Sequence, residues 1–142
     1  MTGARRKART LALQALYEVD SVGHEVRGTL TYLLAKEELS GENATFAREL
    51  VNGVIQNRDM IDRNIQEFAP AWPIEQIAVI DRNILRLAIF EILLNNKSPV
   101  KVAINEAVEL AKTFGSDNSS KFVNGVLGSV SALVSKKLLE RG

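Results

Sequence analysis

The chain has 142 residues, of which 46% are hydrophobic, so it is long enough for one ordinary domain with a substantial core. Its formal net charge is only +1, so any attraction for a polyanion must come from a local patch of charge. The absence of cysteine excludes disulfides, thiolate metal sites and cysteine nucleophiles. No stretch resembles a signal peptide or a membrane span, so we expect a cytoplasmic protein that does not contact a membrane.

Apolar residues recur at intervals of three and four along almost the whole chain, and no stretch alternates strictly between apolar and polar residues. This pattern predicts an all-α fold of about six to seven helices. The first helix follows the basic N-terminus, and the second begins at Val26 and ends near Gly41. From Asn43 to Phe68 one apolar stripe continues past a weak point at Arg58, which indicates one long helix or two abutting ones. We favour one long helix.

The only sharp break in the middle of the chain lies at Pro70 to Pro73, because proline cannot donate a backbone hydrogen bond. We expect one domain over residues 1–142, with subdomains of about 1–70 and 71–142 that share one core. In the helix predicted over 79–94, apolar residues occupy too much of the circumference for a surface helix. This helix should therefore be the most buried one. Phe114 and Gly115 predict the end of the next helix, and a last helix follows.

The N-terminal stretch from Arg5 to Tyr17 combines cations with an aromatic ring. Four of its first residues are basic (Arg5, Arg6, Lys7 and Arg9), and no acidic residue lies among the first nine to cancel their field. On a helix, Arg6, Arg9, Thr10, Leu13 and Tyr17 would share one side. Cations for phosphates and a ring for an unstacked base suit single-stranded nucleic acid. The alternative is a solvated basic terminus beside a boundary tyrosine.

Few residues suit catalysis. The single histidine, His24, lies in the loop after the first helix, and no phosphate loop or metal-ligand spacing occurs. Three carboxylates lie within apolar helices, where two of them could act as acid and base. We expect them instead to pair with nearby cations, because a charge near a core needs a partner. The carboxylates are Glu91, Glu106 and Glu109, and the cations are Arg82, Arg86 and Lys112. We therefore expect no enzyme, no cofactor and no metal site.

Gly125 interrupts the last helix, where glycine costs about 1 kcal/mol relative to alanine. This penalty indicates close packing, either at a helix crossing that needs a small residue or, less readily, at a ligand.

Three blocks of the sequence resemble one family, the bacterial transcription antitermination factors NusB. The blocks are RRKARTLALQALY, VIDRNILRLAIFEIL and PVKVAINEAVELAKTFGSDNSSKFVNGVLGSV, in that order over nearly the whole chain. The resemblance implies a helical protein that binds the boxA segment of ribosomal RNA leader transcripts together with NusE, a ribosomal small-subunit protein. It would then act in the RNA polymerase antitermination complex and support processive transcription of ribosomal RNA.

The resemblance also implies which residues make these contacts. The RNA surface would comprise the basic N-terminal residues with Tyr17 and a second group at the start of the last helix, namely Asn118, Ser119, Lys121, Phe122 and Asn124. Lys121 would contact a phosphate, and Phe122 would stack on a base or belong to the core. The NusE surface would include Glu75, Asp81 and Arg82, where carboxylates would meet a basic protein.

Two other functions fit the same pattern. Some RNA methyltransferases carry a NusB-like RNA-binding domain before a nucleotide-binding α/β domain. We expect no α/β domain here, because the sequence ends at Gly142. A helical adaptor without RNA affinity is the other alternative. The sequence leaves open whether the free protein forms a homodimer.

Overall fold

The computed structural model describes the backbone of residues 3–141 and the side chains of residues 3–136. Within this part of the chain there are seven α-helices and no strand, which confirms the all-α prediction. The helices are α1 (Gly3–Val22), α2 (Val26–Lys36), α3 (Gly41–Gln56), α4 (Arg58–Phe68), α5 (Val79–Phe90), α6 (Val100–Phe114) and α7 (Ser119–Arg141). A 3-10 turn (Ile74–Gln76) precedes α5, and a π-helical segment (Glu91–Asn95) follows it.

The chain divides into two compact units between Gln56 and Asn57. In the first unit, α1 packs against both α2 and α3. Leu50 and Val51 of α3 and Ala8 and Ala12 of α1 are almost completely buried in its core. The sequence places the division near residue 70, after α4, whereas the compact units divide before α4.

In the second unit, α5 packs against α4, α6 and α7. Every residue from 83 to 92 is buried, which agrees with the prediction that residues 79–94 form the most buried helix. A helix surrounded on all sides must be apolar around its whole circumference, and Ile84, Leu85 and Ile89 meet that need. None of the helices in the described residues is long and apolar enough to span a membrane.

The prediction of one long helix from Asn43 to Phe68 is wrong. Asn57 interrupts it with a non-helical backbone (φ −112°, ψ 17°) and forms the N-terminal cap position of α4. The apolar stripe nevertheless continues, with Val54 before the break and Ile61 and Ile65 after it all buried. The stripe is divided because α3 packs against α1, whereas α4 packs against α5 and α7.

The turn between α6 and α7 requires glycine at position 115. As predicted, α6 ends at Phe114, and Gly115 follows as its C-terminal cap residue. A Cβ atom at Gly115 would lie 2.4 Å from the Cβ and Oγ atoms of Ser119, so only glycine fits this close approach. The hydroxyl of Ser119 accepts a hydrogen bond from the backbone N–H of Ser116 at 2.8 Å. These contacts fix the start of α7.

Candidate functional site

The exposed side of α1 carries Arg6, Lys7, Gln14 and Tyr17, which we call the α1 strip. Tyr17 is 42% exposed, so part of this residue is accessible to a partner. Arg5 lies beside the strip and is half-buried. Gln14 is not among the residues picked from the sequence, although its positions seven after Lys7 and three before Tyr17 place it on the same side of a helix.

Arg9 and Leu13 do not belong to this exposed side, and the prediction that they do is wrong. Leu13 is buried, and Arg9 is only 2% exposed, with its guanidinium carbon 5.2 Å from the centre of the Phe46 ring. The guanidinium of Arg5 lies 4.2 Å from the centre of the same ring. Phe46 belongs to α3 and covers this side of α1. Arg9 therefore joins two helices inside the first unit.

The positive charge at the start of α1 is partly offset. The ammonium group of Lys7 lies 3.6 Å from a carboxylate oxygen of Glu37, and both side chains are substantially exposed. Glu37 comes from the end of α2, so the expectation that no acidic group cancels the N-terminal field does not hold at Lys7. An exposed ion pair of this kind contributes little to stability, and Lys7 can exchange its partner for a phosphate at small cost.

The first turns of α7 carry the second group of predicted RNA contacts. Asn118, Lys121 and Asn124 are exposed, and Phe122 is half-buried. Ser119 is 1% exposed and, as described above, its hydroxyl accepts a hydrogen bond inside the turn. The expectation that Ser119 presents its side chain to RNA is not met, because this side chain is buried in the turn between α6 and α7.

Gly125 and Gly128 lie on the exposed side of α7. Apart from the neighbouring residues and the nearby backbone of α7 itself, no described atom lies within 4 Å of a Cβ atom built at either position. The interpretation of Gly125 as a helix crossing that needs a small residue is therefore wrong within the described chain. The Cβ of an alanine would fit there, so packing within the described chain does not explain this glycine.

The residues predicted to face NusE differ in exposure. Glu75 lies in the 3-10 turn and is exposed. Asp81, in the first turn of α5, is 8% exposed, and its Oδ1 atom has no hydrogen-bond partner among the described residues. The guanidinium Nη1 atom of Arg82 donates to the backbone carbonyl of Ile74 at 3.3 Å, with longer bonds to two further carbonyls nearby. Only Glu75 fully presents its charge.

The predicted pairing of carboxylates and cations is partly correct. Lys112 pairs with Glu109 at 3.5 Å on the surface of α6. The buried Arg86 instead pairs with Asp62 of α4, with its Nε atom 2.8 Å from Oδ1 and its Nη2 atom 3.1 Å from Oδ2. The sequence does not indicate that Asp62 pairs with Arg86, because 24 residues separate them. In the described residues, no group of three or more side chains is arranged to hold a metal ion.

The sequence and the fold of this chain are similar to those of known proteins. The model of the NusB family matches residues 6–132. The transcription antitermination protein NusB of a Dehalococcoides mccartyi strain is 52% identical over 141 residues, with 99% of each chain covered. The solved structure of T. maritima NusB is similar with a TM-score of 0.85 at 34% identity, covering 93% of each chain.

A further solved structure shows the same fold at lower identity. It comes from a crystal of antitermination factors NusB and NusE in complex with double-stranded RNA. The TM-score is 0.82 at 24% identity, and the match covers 92% of this chain and 97% of the other. With the family match and the 52% identical relative each covering most of the sequence, this chain belongs to the NusB family.

Proposed function

We propose that this chain is a transcription antitermination factor that binds the boxA segment of ribosomal RNA leader transcripts together with NusE. In this role it acts within the RNA polymerase antitermination complex and supports processive transcription of ribosomal RNA. Family membership supports the proposal, as does the name of the Dehalococcoides relative. The similar fold in the crystal of NusB, NusE and double-stranded RNA is consistent with both partners.

The observation that carries the RNA part of the proposal is the α1 strip. Arg6 and Tyr17 are eleven residues apart, which is about three helical turns and about 16 Å. Both are exposed, so cations at one end can contact phosphates while the ring at the other end stacks on a base. Gln14, between them, has an amide that can read a base edge by hydrogen bonds.

Two further basic residues near the strip have different roles. Arg5 is half-buried against Phe46, so it combines a packing contact with charge near the RNA. Arg9 is a positioning residue, because its contact with Phe46 holds α1 against α3 and it has almost no surface for RNA.

A second RNA contact is proposed at the start of α7. Lys121 supplies a cation, Asn118 and Asn124 supply amides, and Phe122 supplies a partly accessible ring. Ser119 acts by fixing the turn from which these side chains emerge.

The test is a titration of a labelled boxA-like RNA with the full chain, with and without purified NusE, at several salt concentrations. We expect binding to the boxA-like RNA, tighter when NusE is present, and weaker binding to an RNA of the same length and scrambled sequence. Absence of RNA binding under all conditions would favour the helical adaptor. Equal affinity for both RNAs would reject boxA specificity.

A transcription assay separates the proposal from the methyltransferase alternative. On a template with boxA upstream of a terminator, adding the chain with NusE should increase readthrough. An RNA-binding domain of a methyltransferase would bind RNA without increasing readthrough.

A further inference from the structure

A short apolar segment lies exposed between α4 and the 3-10 turn. Its residues are Pro70, Ala71, Trp72 and Pro73, and all four are exposed. Trp72 is the only tryptophan in the chain, and it is 54% exposed. A single exposed apolar residue is ordinary, but here four exposed apolar residues follow one another in the sequence. Tryptophan is also enriched among the residues that dominate binding energy in protein interfaces.

The backbone of this segment is held in place by one glutamine. The Nε2 atom of Gln66 donates to the carbonyl of Trp72 at 2.6 Å, and its Oε1 atom accepts from the N–H of Ile74 at 3.1 Å. The N–H of Trp72 donates to the carbonyl of Ala69 at 3.1 Å. Gln66 thus fixes the chain on both sides of Pro73, and Trp72 is presented from a defined backbone.

Arg82 holds the following turn. Its Nη1 atom donates to the carbonyls of Ile74, Glu75 and Ile77 at 3.3, 3.4 and 3.4 Å. A preorganised segment loses less conformational entropy when it binds, so an exposed ring on such a segment is suited to an interface.

The sequence around the segment carries more acidic than basic residues, because the nearest cations, Arg63 and Arg82, lie just outside it and Arg82 uses its guanidinium to bind backbone carbonyls of the following turn. Residues 64–81 include Glu67, Glu75 and Asp81, and they include no lysine, arginine or histidine. Glu67 and Glu75 are exposed, and the nearly buried carboxylate of Asp81 has an oxygen without a hydrogen-bond partner in the described chain. Carboxylates repel the phosphates of RNA and attract a basic polypeptide.

We propose that Trp72 is the aromatic anchor for a lysine or arginine side chain of a basic protein partner, with Glu75 as the neighbouring anion. The inference rests on the proposed function, in which this partner is NusE. An indole face attracts a cation, and tryptophan does so better than tyrosine or phenylalanine. The Gln66 and Arg82 hydrogen bonds act as positioning contacts for this anchor.

The single tryptophan makes a direct test possible. The full chain is prepared with 5-fluorotryptophan, so that its fluorine NMR spectrum has one resonance, which comes from residue 72. Addition of purified NusE should shift this resonance, whereas saturating boxA-like RNA alone should leave it unchanged. A shift with RNA alone would overturn the proposal by placing Trp72 on the RNA surface.

Binding measurements with variants complete the test. Trp72→Ala should weaken NusE binding roughly tenfold or more, and Trp72→Phe should recover part of the loss. Tyr32→Ala, which removes a similarly exposed ring from α2, is the matched control and should bind NusE normally. Gln66→Ala should weaken NusE binding less than Trp72→Ala and leave RNA binding unchanged.

Two outcomes separate this inference from the proposed function. If the parent chain binds NusE and Trp72→Ala binds equally well, only the role of Trp72 is rejected. If the parent chain does not bind NusE at all, the proposed function loses its partner, and the anchor is rejected with it.

Discussion

The guanidinium carbon of Arg9 lies 5.2 Å from the centre of the Phe46 ring, with Arg9 almost fully buried between α1 and α3. A basic residue that reads as part of an RNA surface is therefore part of the core of the first unit. This contact distinguishes the buried Arg9, which joins two helices, from Arg6 and Lys7, which are exposed.

Arg9→Ala should lower the free energy of unfolding by about 1 to 3 kcal/mol, because it removes a buried cation–π contact and the packing of a long side chain. Arg6→Ala, at an exposed position of the same helix, should change it by no more than about 0.5 kcal/mol. Urea denaturation followed by circular dichroism measures both. Equal midpoints for the two variants would show that the burial of Arg9 contributes nothing to stability.

The α1 strip predicts two kinds of RNA-binding defect. Arg6→Ala and Lys7→Ala should each reduce the slope of log affinity against log salt by about 0.7, the value for one phosphate contact on a single strand. Tyr17→Ala should lower affinity by about 1 to 3 kcal/mol at unchanged slope, because stacking releases no counterion. Each variant must retain the helical circular dichroism of the parent, so that a loss of affinity is not a loss of folding. A reduced slope for Tyr17→Ala would exclude pure stacking.

A substitution at Glu37 should increase RNA affinity, in contrast to the alanine variants of the α1 strip. Glu37→Gln removes the carboxylate 3.6 Å from the ammonium group of Lys7 and should raise RNA affinity at low salt. The gain should disappear at high salt, because exposed charges are screened there. The same titration in the Lys7→Ala background is the control, and a gain that persists there would mean that Glu37 does not act through Lys7.

The pair of Arg86 and Asp62 should be essential to the second unit. Asp62→Ala should cost about 3 to 5 kcal/mol, because it leaves the side chain of Arg86, which is 4% exposed, without its carboxylate. Adding Arg86→Leu should recover much of the loss, since an apolar side chain needs no ionic partner. Thermal denaturation of the single and double variants measures this difference. A double variant less stable than Asp62→Ala would contradict the explanation.

Glu25 should make the start of α2 sensitive to acid. Its carboxylate accepts hydrogen bonds from the backbone N–H groups of Gly28 and Arg27, which lower its pKa below the ordinary value of 4.5. A lowered pKa in the folded state means that the cap stabilises α2 above pH 4.5 and that this contribution is lost as the pH falls below it. Amide shifts of Gly28 in an NMR titration should report this transition, and Glu25→Gln should abolish it.

Residues alone identified the helical class, the buried helix α5 and the interruption at Pro70 to Pro73. These features are encoded locally, because periodicity along one helix reports which of its sides is apolar and proline acts on its own backbone. The N-terminal cations and Tyr17 were also found in this way. Three blocks of sequence resembling NusB led to the predictions of a second RNA surface and a NusE surface.

Only the tertiary structure decided which N-terminal cations are exposed. A helical projection predicts the angle of Arg9 on α1, but it does not reveal that Phe46 of α3 covers that angle. Glu37 opposite Lys7 and Asp62 opposite Arg86 are likewise distant in sequence and close in space. The interruption at Asn57 follows the same principle, because α3 and α4 pack against different helices. Periodicity describes one helix at a time, whereas burial depends on the helix that packs against it.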